Sequence, residues 1–166
     1  MKNLSGKNAI LLAAALWMGM GVFLLIKGIR YLGEVRLAVM NGTQEGFSLI
    51  KSLTDYTKNP DRATLFLICG ALFVGFFKGR VVLKRSVDRT VDRIRSQPDP
   101  VALKNTYSKR YLFLVGGMMC IGIAFKYLPL PLDIKGFVDF AVGAALLNGS
   151  MLYCRAAVAR RATATR

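Results

Sequence analysis

Ala63 to Leu83 reads ATLFLICGALFVGFFKGRVVL, and residues 84–96 continue as KRSVDRTVDRIRS. No charge interrupts the run from Ala63 to Phe77. A membrane-crossing helix needs about 20 residues at ~1.5 Å each to pass a ~30 Å hydrocarbon core. The span therefore continues through Lys78 and Arg80 to Leu83. Long basic side chains near a helix end reach the interface with their charged tips. The start is marked as well: Asn59 suits an N-cap, Pro60 the first helical position, and Asp61 the positive end of the helix dipole.

Beyond Leu83 the helix is expected to run on. Leu83, Val87, Val91 and Ile94 fall on one apolar stripe. Lys84, Arg85, Arg89 and Arg93 occupy the other faces, opposed by Asp88 and Asp92. Such a basic amphipathic helix leaving a span is a candidate for anionic lipid headgroups. A solvated cytoplasmic extension is the plainer reading of the same charges.

Composition points the same way. The 166 residues include 24 Lys+Arg against 9 Asp+Glu, for a net charge of +15. They are 54% hydrophobic, with a mean hydropathy of +0.40. A charge of that size also fits nucleic acid, but the bases cluster at the ends of apolar runs, so no nucleic-acid partner is expected. The three cysteines, Cys69, Cys120 and Cys154, lie in apolar segments without a pairing motif. Histidine is absent, which removes the commonest metal ligand and the commonest general base.

Four spans follow, at about 9–32, 63–83, 111–128 and 134–153. Ala9 to Ile26 is a continuous apolar run without a cleavage site after it, so it reads as an uncleaved first span. Residues 33–62 form an outer loop with an Asn41-Gly42 turn. Within it, Glu45 to Lys58 is expected to form a short amphipathic helix with Phe47, Ile50, Leu53 and Tyr56 or Thr57 roughly on one side. It would lie on the bilayer or dock a partner. The collar of residues 84–110 breaks at Ser96-Gln97-Pro98-Asp99-Pro100. Pro129 and Pro131 end the third span, Asp133 caps the fourth, and residues 155–166 form a basic, frayed tail.

The fold class is thus all-α, a single polytopic domain of four transmembrane helices arranged as two hairpins. Gly70-Ala71-Leu72 parallels Gly143-Ala144-Ala145, a weak sign of a parallel repeat. The head, the stretch from Lys78 to Arg110 and the tail hold 16 of the 24 bases. The positive-inside rule places both termini and the collar in the cytoplasm, here of a bacterial inner membrane.

Candidate sites are few. Gly75 and Gly79 form a GxxxG, and Ala141, Ala145 and Gly149 a series of small residues. Both allow close helix packing, within the chain or between copies. Asn148 lies near that small face as interhelical glue. Asp139 is the acid set well inside an apolar run, with Lys135 or Lys126 as its expected partner and a place about one turn inside the outer interface. Lys27, Arg30 and Lys126 gather near the outer face, and Lys78, Arg80, Lys84 and Arg85 near the inner one. Lining a pore, such rings favour anions; otherwise they are anchors.

No HExxH, GxSxG, P-loop or CxxC occurs, so neither an enzyme nor a cofactor is expected. The leading reading is a non-enzymatic subunit or scaffold of a membrane assembly. A small homo-oligomeric channel or transporter, with Asp139 and the basic rings on its pathway, is the second. A protein acting on anionic lipid is the third.

Overall fold

The structure, a computed structural model, describes residues 3–4, 6–96, 101–102, 125 and 127–164. Most of the expected third span lies outside these residues. The elements are β1 (Asn3–Leu4), α1 (Gly6–Met40), α2 (Leu49–Thr57), α3 (Pro60–Lys78), a π-helical turn (Gly79–Leu83), α4 (Lys84–Arg95), β2 (Val101–Ala102) and α5 (Leu132–Ala164). Apart from the two-residue antiparallel ladder of β1 with β2, the architecture is helical. Among the described residues three helices are long and apolar enough to cross a membrane: α1, the rod Pro60–Ile94, and Leu132–Ala159 of α5.

The boundaries have local causes. Gly42, at φ +68°, closes α1, while Asn41 N–H donates to the Leu37 carbonyl and Thr43 N–H to that of Ala38. Ser48 caps α2 by accepting from Lys51 N–H, and Lys58 ends it in the left-handed region at φ 56°. Asn59 caps α3 by accepting from Asp61 and Arg62 N–H, with Pro60 in the first turn.

Glycine sets the main contact. α1 packs chiefly on α5 rather than on its sequence neighbour α3, and the two run antiparallel. A Cβ on Gly21 would sit 3.0 Å from the Gly143 carbonyl oxygen, and one on Gly28 2.8 Å from that of Gly136. The seven-residue spacing repeats on both helices, so backbone meets backbone along one seam. At the far end of the seam Trp17 fills the space left by Gly149 and meets Tyr153 edge-on, 5.6 Å between ring centroids.

α3 packs on α5 in parallel. Gly70 faces Phe137, and a Cβ on Gly75 would overlap the Ala141 carbonyl oxygen. Along the rod, Ala63, Leu67, Ala71, Gly75, Gly79, Leu83, Val87 and Val91 are all buried, every fourth residue. At about 3.6 residues per turn, positions four apart drift ~40° around a helix. The wider π turn at Gly79–Leu83 takes up part of that drift and carries the buried stripe from α3 into α4.

Three expectations change here. The stripe Leu83, Val87, Val91 and Ile94 does not face lipid. It is buried in one core with Ala9, Ile10, Ala13, Ala14, Trp17, Tyr153 and Ala157. The first helix outlasts its expected end at Leu32, because Leu32 and Val35 join Ile50, Ala63 and Leu67 in a second core. The tail is not frayed from Arg155 onward: α5 continues to Ala164, held through Tyr153 and Ala157.

Candidate functional site

Asp139 lies on the wall between α1 and α5. Because Gly28 and Gly136 bring the two backbones together, the flanking side chains meet across the seam. Lys27 Nζ is 2.9 Å from Asp139 Oδ2, with side-chain exposures of 31% and 12%. The same ammonium stands 5.3 Å from the Tyr31 ring centroid. Among the described residues Asp139 pairs with Lys27, from a helix more than a hundred residues away, a partner not expected from the sequence. Antiparallel packing of α1 on α5 is the physical reason. Lys126 lies outside the described residues.

The helix register also sets the level of the pair along the bundle. Gly70 faces Phe137 and Gly75 faces Ala141, so Asp139 is level with Phe73. That is the middle of the apolar run of α3 and the end of the apolar run of α1. The apolar runs of α1 and α3 are offset along the bundle: Trp17 and Leu83 both approach Gly149, so the centre of one run is level with the end of the other.

A second carboxylate, Asp133, is fully buried at the start of α5. Its Oδ2 accepts from Ser48 Oγ at 2.8 Å and from Ile50 N–H at 3.1 Å, and its Oδ1 accepts from Ile134 N–H at 2.9 Å. It therefore caps two helices at once, α5 and the loop helix α2. That favours negative charge at both N-termini. α2 is clamped by this bond and by Ile50 and Leu53, while Phe47 and Tyr56 stay exposed. The expected common face of α2 is thus split.

The remaining candidates scatter. Asn148 donates to the Ala144 carbonyl on its own helix at 3.2 Å rather than across to a neighbour. The Arg80 guanidinium stands over the Phe76 ring of its own rod at 5.8 Å. Arg30, Lys84, Arg85, Arg89 and Arg93 are exposed. The Lys78 side chain lies outside the described set. Gly75 and Gly79 meet Ala141, Ala144 and Ala145, so the small residues of α3 and α5 face each other. Among the described residues no group of three His, Cys, Asp or Glu is placed to hold a metal.

The Asp133 clamp and the glycine seam were not singled out in the sequence. A signal existed for the seam, in the matched seven-residue spacings of Gly21 with Gly28 and Gly136 with Gly143. For the clamp there was none, since Ser48 and Asp133 are 85 residues apart.

Comparison with protein-family models, with curated proteins and with solved structures finds no match. Fold and site together define a class: a helical protein with three helices able to cross a membrane, joined by a glycine seam, an ion pair and a buried carboxylate clamp.

Proposed function

We propose that the chain is a small integral membrane protein serving as a non-enzymatic subunit or scaffold of a membrane assembly. One observation carries this reading. Five buried polar side chains are bonded within the chain: Ser48 and Asp133 to each other, Asp139 to Lys27, Thr64 to the Pro60 carbonyl, and Ser150 to the Leu147 carbonyl. Buried polar groups that complete one another leave nothing aimed at a substrate. Outside, α1 and α3 carry large apolar side chains such as Phe23, Phe66 and Phe73.

A four-span topology belongs to the same proposal. α3 and α5 run in the same direction, so the chain between them must return along the bundle. Its described ends support that: β2 pairs with β1 beside the start of α1, and Tyr127 leads into α5 at the opposite end. The sequence offers the third span, 111–128, for that return, and most of it lies outside the described residues. The positive-inside rule supports cytoplasmic termini, and the proposal takes the membrane to be a bacterial inner membrane.

The second reading, a homo-oligomeric channel or transporter, is favoured by the mid-depth position of Lys27 and Asp139, since charges at such depth mark pathways. Extraction in mild detergent followed by native mass spectrometry separates the two. Co-purifying subunits at fixed stoichiometry support the scaffold. A pure homo-oligomer with Asp139-dependent flux in liposomes overturns it.

A further inference from the structure

Where α2 meets α3, Tyr56, Thr57, Arg62, Leu65, Phe66 and Cys69 line an open groove. One end is polar and basic. Arg62 is exposed, and no carboxylate among the described residues pairs with it; its neighbour Asp61 is held instead by Arg36 at 2.6 Å. The Tyr56 ring beside it is 89% exposed. The other end is apolar. Leu65 and Phe66 are 60% and 63% exposed, and the same outward surface of α3 continues through Phe73 and Phe77, stacked at 6.2 Å.

The order of these groups along α3 matters. Arg62 sits at the helix start, where the apolar run begins, and the apolar residues follow toward its middle. A cation at the boundary with an apolar track leading inward has the polarity of a phospholipid in the adjoining leaflet. From Leu65 to Phe77 the rise at ~1.5 Å per residue is about 18 Å, close to half a bilayer. Arg in particular offers a fork of donors that matches phosphate oxygens.

We propose that this groove seats one anionic phospholipid, its phosphate at Arg62 and the Tyr56 hydroxyl, one acyl chain along Leu65, Phe66 and Cys69. Charge complementarity decides the headgroup class: no carboxylate among the described residues pairs with the guanidinium at the basic end, and the neighbouring acid Asp61 is already engaged by Arg36. The site is separate from the scaffold reading and stands or falls on its own experiment.

The test uses the full chain in detergent, offered phosphatidylglycerol or phosphatidylcholine of the same chain length, with adducts counted by native mass spectrometry. The wild type is expected to hold one phosphatidylglycerol in preference to phosphatidylcholine. Arg62→Gln should weaken that adduct about fivefold, the effect of one basic contact to an anionic headgroup. Arg30→Gln, which removes an exposed cation elsewhere on the bundle, should leave it unchanged. Equal retention in Arg62→Gln, equal retention of both lipids, or equal loss in both variants overturns the proposal. So does efficient cross-linking of Phe66→Cys to a second copy, which would put protein where the lipid is placed.

Discussion

Lys27 and Asp139 meet at 2.9 Å across the seam of two antiparallel helices, level with Phe73 in the middle of the third. Neither helix alone places a charge there. α1 seen by itself carries Lys27 at the end of its apolar run, and α5 seen by itself carries Asp139 near its start. Only their register makes a mid-depth pair.

The pair is expected to be coupled in stability. Lys27→Gln and Asp139→Asn should each destabilise the fold, and the double variant should lose less than the sum. Contacting groups couple by roughly 0.5–3 kcal/mol in such cycles. Thermal unfolding in detergent reads the cycle. Additive losses would mean that the two charges do not act together. Under the scaffold reading, Asp139→Asn also leaves ion flux in liposomes unchanged.

Removing the Asp133 carboxylate should release α2. Asp133→Ala leaves Ser48 Oγ and Ile50 N–H without their acceptor, and an unmade buried hydrogen bond costs about 1–3 kcal/mol. Hydrogen exchange over residues 41–59 should rise sharply while α1 and α3 stay protected. Unchanged exchange in that segment would show that Ile50 and Leu53 hold the helix without the clamp.

Two glycines in α1 should respond in opposite ways to the same methyl group. At Gly28 a Cβ would meet the Gly136 backbone at 2.8 Å and Phe140 N equally closely, and backbone cannot turn aside. Gly28→Ala should therefore cost about 1–3 kcal/mol, as overpacking does. At Gly19 nothing lies within 4 Å. Gly19→Ala should be neutral or stabilising by up to about 1 kcal/mol, the helix penalty of glycine. Equal losses at both sites would argue against the seam.

Orientation can be read with single cysteines after Cys69, Cys120 and Cys154 are replaced by Ser. A membrane-impermeant thiol reagent added outside cells should label Gln44→Cys and Leu128→Cys but not Ser96→Cys. The reverse pattern overturns the proposed placement of both termini in the cytoplasm.

Much of the helical outline was legible in the residues themselves. Asn59-Pro60 starts α3 and charge-free runs mark the long helices, because caps and hydropathy are local properties; Asn41-Gly42 was legible as a turn but not as the end of α1. The site was not legible in the same way. Asp139 stood out as an acid in an apolar run, yet its partner depends on the register between helices, and register is set by distant glycines. The stripe of α4 was visible, but whether it met lipid or protein depended on Ala9 to Ala14 lying opposite. The offset between the apolar runs of α1 and α3 has no signature within either run.

The π turn at Gly79–Leu83 has a consequence for how the rod tolerates change in length. One residue more or less turns everything beyond it by about 100°. Deleting Val81 would remove the residue that the turn accommodates and leave Val87, Val91 and Ile94 close to phase, but deleting Ser86 from the regular helix beyond it would swing them away from Ala13 and Tyr153, with arginines rotating in to replace them. The rod then behaves like a gear train with one tooth removed, in which every individual wheel is sound and none of them mesh. A residue count, not a residue identity, is what keeps the two halves of this rod in phase.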